Sequence, residues 1–319
     1  MYQFTFSDLF AWIGGFHIAM SNLWGTLIAA VENDKYARET YSLNFGEGNC
    51  FEQIFYGDIT KLDEKLISHH DILCWWFPCQ AFSIAGYRKW FGDERGNLFF
   101  DLARIIKQSK PKAIFLENVK NLKSHDWWNT YRIIEETLRD LWYYVESKVM
   151  NSCEYWWLPQ NRERIYIVWF RDKKCFDRFS FPEPIKLKKW VQDMLDKKVD
   201  SKYYYENSNL YHKIKDQIVD KNKAYQWRRI YVRENKSWVF PTLTANMWMG
   251  WHNVPIVLDD KWIRKLTPRE CFRIQWFPET YKLPHMSDSH LYKQAWNAVT
   301  VPTVQRIWEN ILKALFDTH

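Results

Sequence analysis

The feature that most constrains this chain is a regular alternation of apolar runs and amphipathic stretches over its first 170 residues. Five short apolar runs predict buried strands: Phe4–Phe10, Thr26–Val31, Asp71–Cys74, Ala113–Leu116 and Arg164–Phe170. Stretches with apolar residues at helical spacing lie between them: Phe16–Leu23, Asp34–Asn44, Asn97–Gln108 and the 130s to Leu141. Strands that alternate with helices in this way predict an α/β domain with a doubly wound sheet.

The alternation stops near Phe181, where a basic region begins. Residues 181–240 hold 14 Lys and Arg against 8 Asp and Glu, so +6 of the total charge of +7 lies in this stretch. Aromatic residues are interleaved with the charge, as in Tyr203–Tyr205 and Tyr225–Arg229. Such a region is either a solvated basic face or a nucleic-acid surface that uses cations for phosphates and rings for bases. The final stretch, Val299–Phe316, has the pattern of an amphipathic helix that could return to the first domain.

The composition excludes several classes of protein. With 47% hydrophobic and 26% charged residues the chain is an ordinary globular protein, and it contains no apolar stretch long enough to span a membrane. The first residues lack the basic and apolar segments of a secretory signal. Its six cysteines form no CxxC pair, so we expect neither a disulfide framework nor a metal site, and a reduced, cytoplasmic protein.

Polar residues at the predicted strand ends indicate a nucleoside cofactor. The segment from Asp8 to Phe16 is a glycine-containing turn between a strand and a helix, where backbone N–H groups can approach a polar ligand. Glu32 ends the next strand, where a carboxylate can accept hydrogen bonds from ribose hydroxyls. A tight turn in any α/β domain has a similar pattern, but the acid at this position favours the cofactor.

Three further motifs could carry chemistry. Cys79 follows a predicted strand, Glu117 ends another, and Arg162 and Arg164 are two residues apart, so that in a strand they would lie on one face. Taken singly, each has a structural explanation: a buried inert thiol, a helix cap or surface acid, and arginines paired with nearby acids.

Six blocks of sequence together resemble the DNA cytosine-5 methyltransferases. In chain order they are DLFAWIGGF, FPCQAFS, ENVKN, PQNRERIYIV, RKLTPRECFRIQ and NAVTVP. The resemblance covers nearly the whole chain apart from about 181–235. It implies a Rossmann-like, S-adenosylmethionine-dependent methyltransferase domain over residues 1–180 plus 285–319. It also implies a smaller target-recognition domain over 181–284, where the basic region falls.

The resemblance also implies a role for each motif. Cys79 would add to C6 of a flipped-out cytosine, Glu117 would hold N3 and the exocyclic amine, and Arg162 and Arg164 would grip the base, the sugar-phosphate or Glu117. The expected cofactor is S-adenosylmethionine, bound by Phe10, Ile13, Gly15, Glu32, Asp58, Ile59, Pro78, Leu98, Asn297 and Val299.

The same resemblance implies the partners. We expect double-stranded DNA as substrate, a monomer, and a restriction–modification role that leaves room for a cognate endonuclease. A tRNA cytosine-5 methyltransferase is the alternative enzyme, although the basic region argues against it. A catalytically dead DNA-binding relative is the alternative from another class.

The chain departs from the family pattern by placing tryptophan where glycine is usual. It has 20 Trp and only 10 Gly, and Gly250 is the single glycine after residue 96. The affected glycine positions in the motifs include Trp12, Trp157, Trp276 and Trp296, and Trp75 and Trp76 stand where small residues are usual. Because one residue type recurs, we hypothesise that UGA codons read as glycine by the host stand here as tryptophan. A decayed, inactive relative is the rival explanation, and it is favoured if Trp12 is genuine.

Overall fold

The chain forms two compact units in the computed structural model, which describes residues 2–47, 51–76, 98–122, 129–228, 230–244, 247 and 254–317. The first unit comprises residues 1–150, 163–182 and 301–319, and the second comprises 151–162 and 183–300. These bounds differ from the predicted ones, 1–180 plus 285–319 and 181–284. Residues 285–300 and 151–162 were expected in the first domain, whereas in the structure both segments belong to the second unit. What each unit does stays a prediction.

A seven-stranded sheet organises the first unit. Its strands are β1 (Phe4–Leu9), β2 (Gly25–Val31), β3 (Phe55–Tyr56), β4 (Ile72–Trp75), β5 (Ala113–Val119), β6 (Tyr144–Asn151) and β7 (Glu163–Phe170). Their order across the sheet is β3-β2-β1-β4-β5-β7-β6. The pairs β2–β3, β1–β2, β1–β4 and β4–β5 are parallel, whereas β5 and β7 are antiparallel.

Helices accompany this sheet. They are α1 (Gly15–Ser21), α2 (Lys35–Phe45), α3 (Phe51–Ile54), α4 (Leu98–Ser109), α5 (Asn129–Asp140), α7 (Lys173–Arg178) and α11 (Val301–Phe316), with α6 (Ser152–Tyr155) belonging to the second unit. Helix α11 packs on α1, and Trp308 contacts the rings of Phe16 and Phe115 at centroid distances of 5.6 and 5.4 Å. The final helix therefore completes the core of the first unit. No helix in the described ranges is both long and apolar enough to cross a membrane.

The second unit has its own sheet and core. Strands β8 (Ala224–Trp227), β9 (Val232–Glu234), β10 (Ile256–Leu258) and β11 (Ile263–Lys265) form an antiparallel sheet in the order β11-β10-β8-β9. Its helices are α8 (Tyr211–Ile214), α9 (Pro268–Ile274) and α10 (Asp288–Asn297). A separate apolar cluster fills it: Tyr205, Ile214, Ile218, Tyr225, Ile256 and Ile263.

The predicted α/β class is confirmed, and each of the five predicted strands has a counterpart in the sheet. The strand predicted over Ala113–Leu116 is longer than expected and continues to Val119, because β7 pairs with it along its whole length. Strand β6 was not predicted: its side chains are mostly exposed or half-buried, which leaves it without an apolar run.

Candidate functional site

The turn between β1 and α1 has an unusual backbone. Phe10, Trp12 and Gly14 all have left-handed φ values, of 63°, 50° and 78°. A Cβ at Gly14 would lie 2.2 Å from the ring of Phe45, so only glycine fits there. Ile13 is fully buried and Gly15 begins α1, while Phe10 and Trp12 are half-buried. This turn thus folds back on itself at the carboxyl end of a central strand, where α/β sheets place their ligands.

Glu32 connects this turn to the next strand. Its carboxylate accepts hydrogen bonds from the backbone N–H of Trp12 at 2.8 Å and from that of Asp34 at 2.7 Å. The pKa of Glu32 is raised above its usual value, because the effect of burial exceeds the lowering effect of these two hydrogen bonds. The side chain is only 8% exposed, so it is a buried acid fixed in place at a strand end, as the sequence predicted.

Asp8 is a second buried acid beside Glu32, and sequence reasoning did not assign it a role. Neither of its carboxylate oxygens has a hydrogen-bond partner in the described part of the chain. Burial, together with the negative charge of Glu32, raises the pKa of Asp8 well above its usual value. In its protonated form, which the raised pKa favours, this carboxyl group can donate one hydrogen bond.

Two more predicted cofactor residues follow β3. Asp58 accepts hydrogen bonds from the backbone and the hydroxyl of Thr60, and these bonds lower its pKa. Ile59 is buried, and Arg104 donates to its carbonyl at 2.7 Å. Leu98, the first residue of α4, is half-buried against the main apolar core.

Arg38 is a residue that the sequence reasoning missed. Its guanidinium donates to the carbonyl oxygens of Glu32 and Tyr56 at 2.9 and 2.6 Å and lies 4.1 Å from the centre of the Phe55 ring. It therefore ties the ends of β2 and β3 together. No sequence motif signals this role, because it depends on how α2 lies against two strands.

Glu117 and Arg164 form a buried ion pair. Arg164 Nε lies 3.2 Å from Glu117 Oε1, and the two side chains are 9% and 1% exposed. The register explains the contact: Glu117 is opposite Tyr166 in the antiparallel pair, so Arg164 is its diagonal neighbour on the same face. The Glu117 carboxylate thus lies beside a positive charge in a buried site, where the attraction between the two groups is stronger than in water.

Arg162 does not accompany Arg164 in this structure. Strand β7 begins at Glu163, so Arg162 lies before it, in the second unit. Its guanidinium donates to the carbonyl oxygens of Trp296 and Ala298 at 3.2 and 2.9 Å. Arg162 thus fixes the segment that carries two predicted cofactor residues, Asn297 and Val299. The Oδ1 atom of Asn297 is buried without a hydrogen-bond partner among the described residues.

Two predicted site residues, Pro78 and Cys79, lie outside the described residues. Among the described cysteines, Cys74 and Cys271 are poor nucleophiles, because burial raises the pKa of each thiol well above its usual value. Cys74 donates its S–H to the carbonyl of Ser7. Neither thiol offers an alternative to Cys79 as a reactive thiolate.

A buried charge network anchors the second unit. Arg264 donates to both oxygens of Glu270 at 2.9 and 2.8 Å and to Asp259, and the Arg264 and Glu270 side chains are fully buried. Thr267 and Glu270 also form a capping box at the start of α9. The order Thr-Pro-Arg-Glu in the sequence is the signature of such a cap and could have revealed it.

Comparison with known proteins matches residues 4–313 to the model of the family described as C-5 cytosine-specific DNA methylase. The chain is 45% identical to the type II methyltransferase M.Bsp6I of a Bacillus species, over 97% of this chain and 98% of that protein. It is 40% identical to the type II methyltransferase M.HhaI of Haemophilus parahaemolyticus, over 97% and 94%. Among solved structures, the methyltransferase EhMeth of Entamoeba histolytica is similar in fold, with a TM-score of 0.75 and 19% identity over 99% of this chain and 100% of that one.

Proposed function

Since the chain belongs to the C-5 cytosine-specific DNA methylase family, we propose that it methylates C5 of a cytosine in a short duplex DNA target. The observation that carries this proposal is the ion pair between Glu117 and Arg164, at 3.2 Å and almost fully buried. A fixed, dry carboxylate is the group that recognition of a cytosine Watson–Crick edge requires.

Glu117 acts on the base in this proposal. Its carboxyl group holds N3 and the exocyclic amine of cytosine and keeps N3 protonated while negative charge builds on the ring. Arg164 keeps Glu117 oriented. Its charge also offsets the cost of holding that carboxylate away from water.

Cys79 is the proposed nucleophile. Its thiolate adds to C6, which makes C5 electron-rich enough to accept a methyl group. A base then removes the C5 proton, and the electron pair of that C–H bond expels Cys79 from C6 to restore the aromatic ring. The cytosine must first leave the duplex, at a cost of a few kcal/mol of unstacking.

The first unit fits S-adenosylmethionine as the methyl donor. Glu32 and Asp58 follow neighbouring parallel strands, and buried Asp8 offers a polar group without a partner among the described residues. In this proposal Glu32 accepts hydrogen bonds from the ribose hydroxyls, and the turn from Phe10 to Gly15 contacts the rest of the ligand. When bound, the donor supplies an electrophilic methyl group. The exception to the fit is the bulky side chain of Trp12 in that turn.

The basic second unit is the proposed DNA reader. Net positive charge in residues 181–240 attracts phosphates. Of the rings interleaved with this charge, Tyr205 and Tyr225 are buried in the core of the unit, whereas Tyr231 is exposed and can contact a base. A monomer suffices for one short target, and the type II relatives support a cognate endonuclease as a partner of the system. Such a system acts on the host's DNA, so we propose a cytoplasmic enzyme.

The test measures transfer of a labelled methyl group to duplex DNA and to tRNA. It uses the chain as written and a second chain with glycine at 12, 75, 76, 157, 276 and 296. We expect 5-methylcytosine in duplex DNA only. Glu117→Gln and Cys79→Ser should lower the rate at least ~10²-fold, the scale of a lost general acid or nucleophile.

Glu163→Gln is the matched control, because Glu163 pairs with Lys120 at the exposed surface, next to Arg164 in sequence. Its activity should stay unchanged. Methylation of tRNA but not of DNA would contradict the proposed substrate. A Cys79→Ser variant that still methylates would refute the nucleophile.

A further inference from the structure

Tryptophan occupies backbone positions that favour glycine. Outside glycine, seven described residues have a left-handed φ, and five of them are tryptophan: Trp12, Trp24, Trp142, Trp238 and Trp276. Tryptophan makes up only 20 of the 319 residues. A side chain strains the backbone in this region, whereas glycine adopts it freely.

Two of these residues occupy the glycine position of a helix-ending motif. After α5, the N–H of Trp142 donates to the carbonyl of Arg139 at 2.8 Å and the next N–H donates to the carbonyl of Leu138 at 3.1 Å. After α9, the N–H of Trp276 donates to Arg273 at 2.8 Å and that of Phe277 to Phe272 at 3.1 Å. This pair of bonds defines the Schellman motif, whose left-handed residue is usually glycine.

Packing does not compensate for the backbone strain at three of these five left-handed tryptophans. Trp142, Trp24 and Trp238 are 81%, 64% and 51% exposed. Trp24 closes the turn after α1, where its N–H donates to Ser21. An exposed apolar side chain buries little surface, so it adds little to the stability of the fold and does not offset the free-energy cost of the strained backbone.

Other tryptophans behave as ordinary core residues. Trp308 and Trp169 are fully buried, and neither has a left-handed φ. Trp308 lies in the middle of α11, and Trp169 is the second-last residue of β7. Backbone conformation therefore separates two groups of tryptophans. It adds Trp24, Trp142 and Trp238 to Trp12 and Trp276, which lie in the sequence motifs.

We infer that positions 12, 24, 142, 238 and 276 carry glycine in the working protein, because its host decodes UGA as glycine. The chain has a single glycine after residue 96, yet the described structure has three left-handed tryptophan positions in that part. The inference rests on backbone geometry and hydrogen bonds, not on the proposed function. For the methyl-donor site it has one consequence: residue 12 of the cofactor turn loses its indole.

The direct test is mass spectrometry of peptides from the protein isolated from its own host, together with sequencing of the gene. We expect glycine residues and UGA codons at the five positions. Trp227 is the internal reference, since it has an ordinary backbone and lies in β8, and should be tryptophan encoded by UGG. Intact tryptophan at 24, 142 and 276 would overturn the inference.

A second test compares the recombinant chain as written with one that carries all five Trp→Gly substitutions. The glycine chain should melt at a higher temperature and should gain calorimetric binding of S-adenosylmethionine, a gain that Trp12→Gly alone reproduces. A melting temperature that is unchanged or lower would refute the inference. Higher melting without binding of S-adenosylmethionine would support the inference and instead contradict the proposed function.

Discussion

Replacing Trp142 by glycine should stabilise the protein. The left-handed backbone costs a residue with a side chain about 1–2 kcal/mol, which glycine avoids. The greater freedom of glycine in the unfolded chain takes back roughly 0.5–1 kcal/mol. Because Trp142 is 81% exposed, few contacts are lost, and the net gain should be on the order of 0.5–1 kcal/mol. For a unit of this size that corresponds to a rise in melting temperature of about 1–4 °C.

Two controls separate backbone strain from other effects in this prediction, which differential scanning calorimetry and urea unfolding would measure. Lys110 also has a left-handed φ, of 48°, at the end of α4, so Lys110→Gly should give a similar gain. Trp190 is 48% exposed but has an extended backbone with φ −118°, so Trp190→Gly should destabilise. The reasoning is refuted if Trp142→Gly destabilises while Lys110→Gly stabilises, because the indole contacts would then outweigh the strain.

Three further predictions follow from buried charges and from surface charge. Arg264→Met should cost about 3–5 kcal/mol in urea unfolding, because it leaves Glu270 buried without its cation; the double variant with Glu270→Met should recover much of the loss. Asp8 has a raised pKa, so its contribution to stability is fully present below the ordinary pKa of aspartate and is lost as pH rises through the folded-state pKa. Asp8→Asn should therefore melt with a weaker pH dependence than the parent in scans upward from pH 4, and an unchanged dependence would contradict the assignment. Affinity for duplex DNA should fall linearly on a log–log plot against salt, and a flat plot would argue against the basic region as the DNA surface.

Much of the first unit could be predicted from its sequence, because buried strands and amphipathic helices leave strong periodic signals. Strand β6 could not, since it carries alternating polar residues and little apolar surface. For the second unit, the sequence predicted a smaller basic domain over 181–284 but none of its strands. Its strands have three or four residues each, which is too short for a period-2 pattern to be recognised.

The candidate site shows the same division between local and long-range information. The strand-end position of Glu32 follows from local pattern. Glu117 was expected at a strand end as well, but it lies inside β5, which continues to Val119. The partner of Glu117 does not, because the contact with Arg164 depends on the register between β5 and β7, which are separated by more than forty residues. Arg162 was expected beside Arg164, but β7 begins one residue after it, and Arg162 instead binds two carbonyl groups. A strand boundary shifted by one residue is beyond what side-chain spacing can determine.

The packing of α11 on α1 has a consequence for the order in which the protein is made. Residues 183–300 emerge from the ribosome before α11 does, and at 5–20 residues per second they take roughly 6–24 s to synthesise. Until α11 is made, Phe16 and Phe115 lack their contact with Trp308, so this apolar face of the first unit stays exposed to solvent. The nascent chain is therefore most vulnerable to aggregation and most dependent on chaperones during this interval. A translational pause within the second unit would lengthen it.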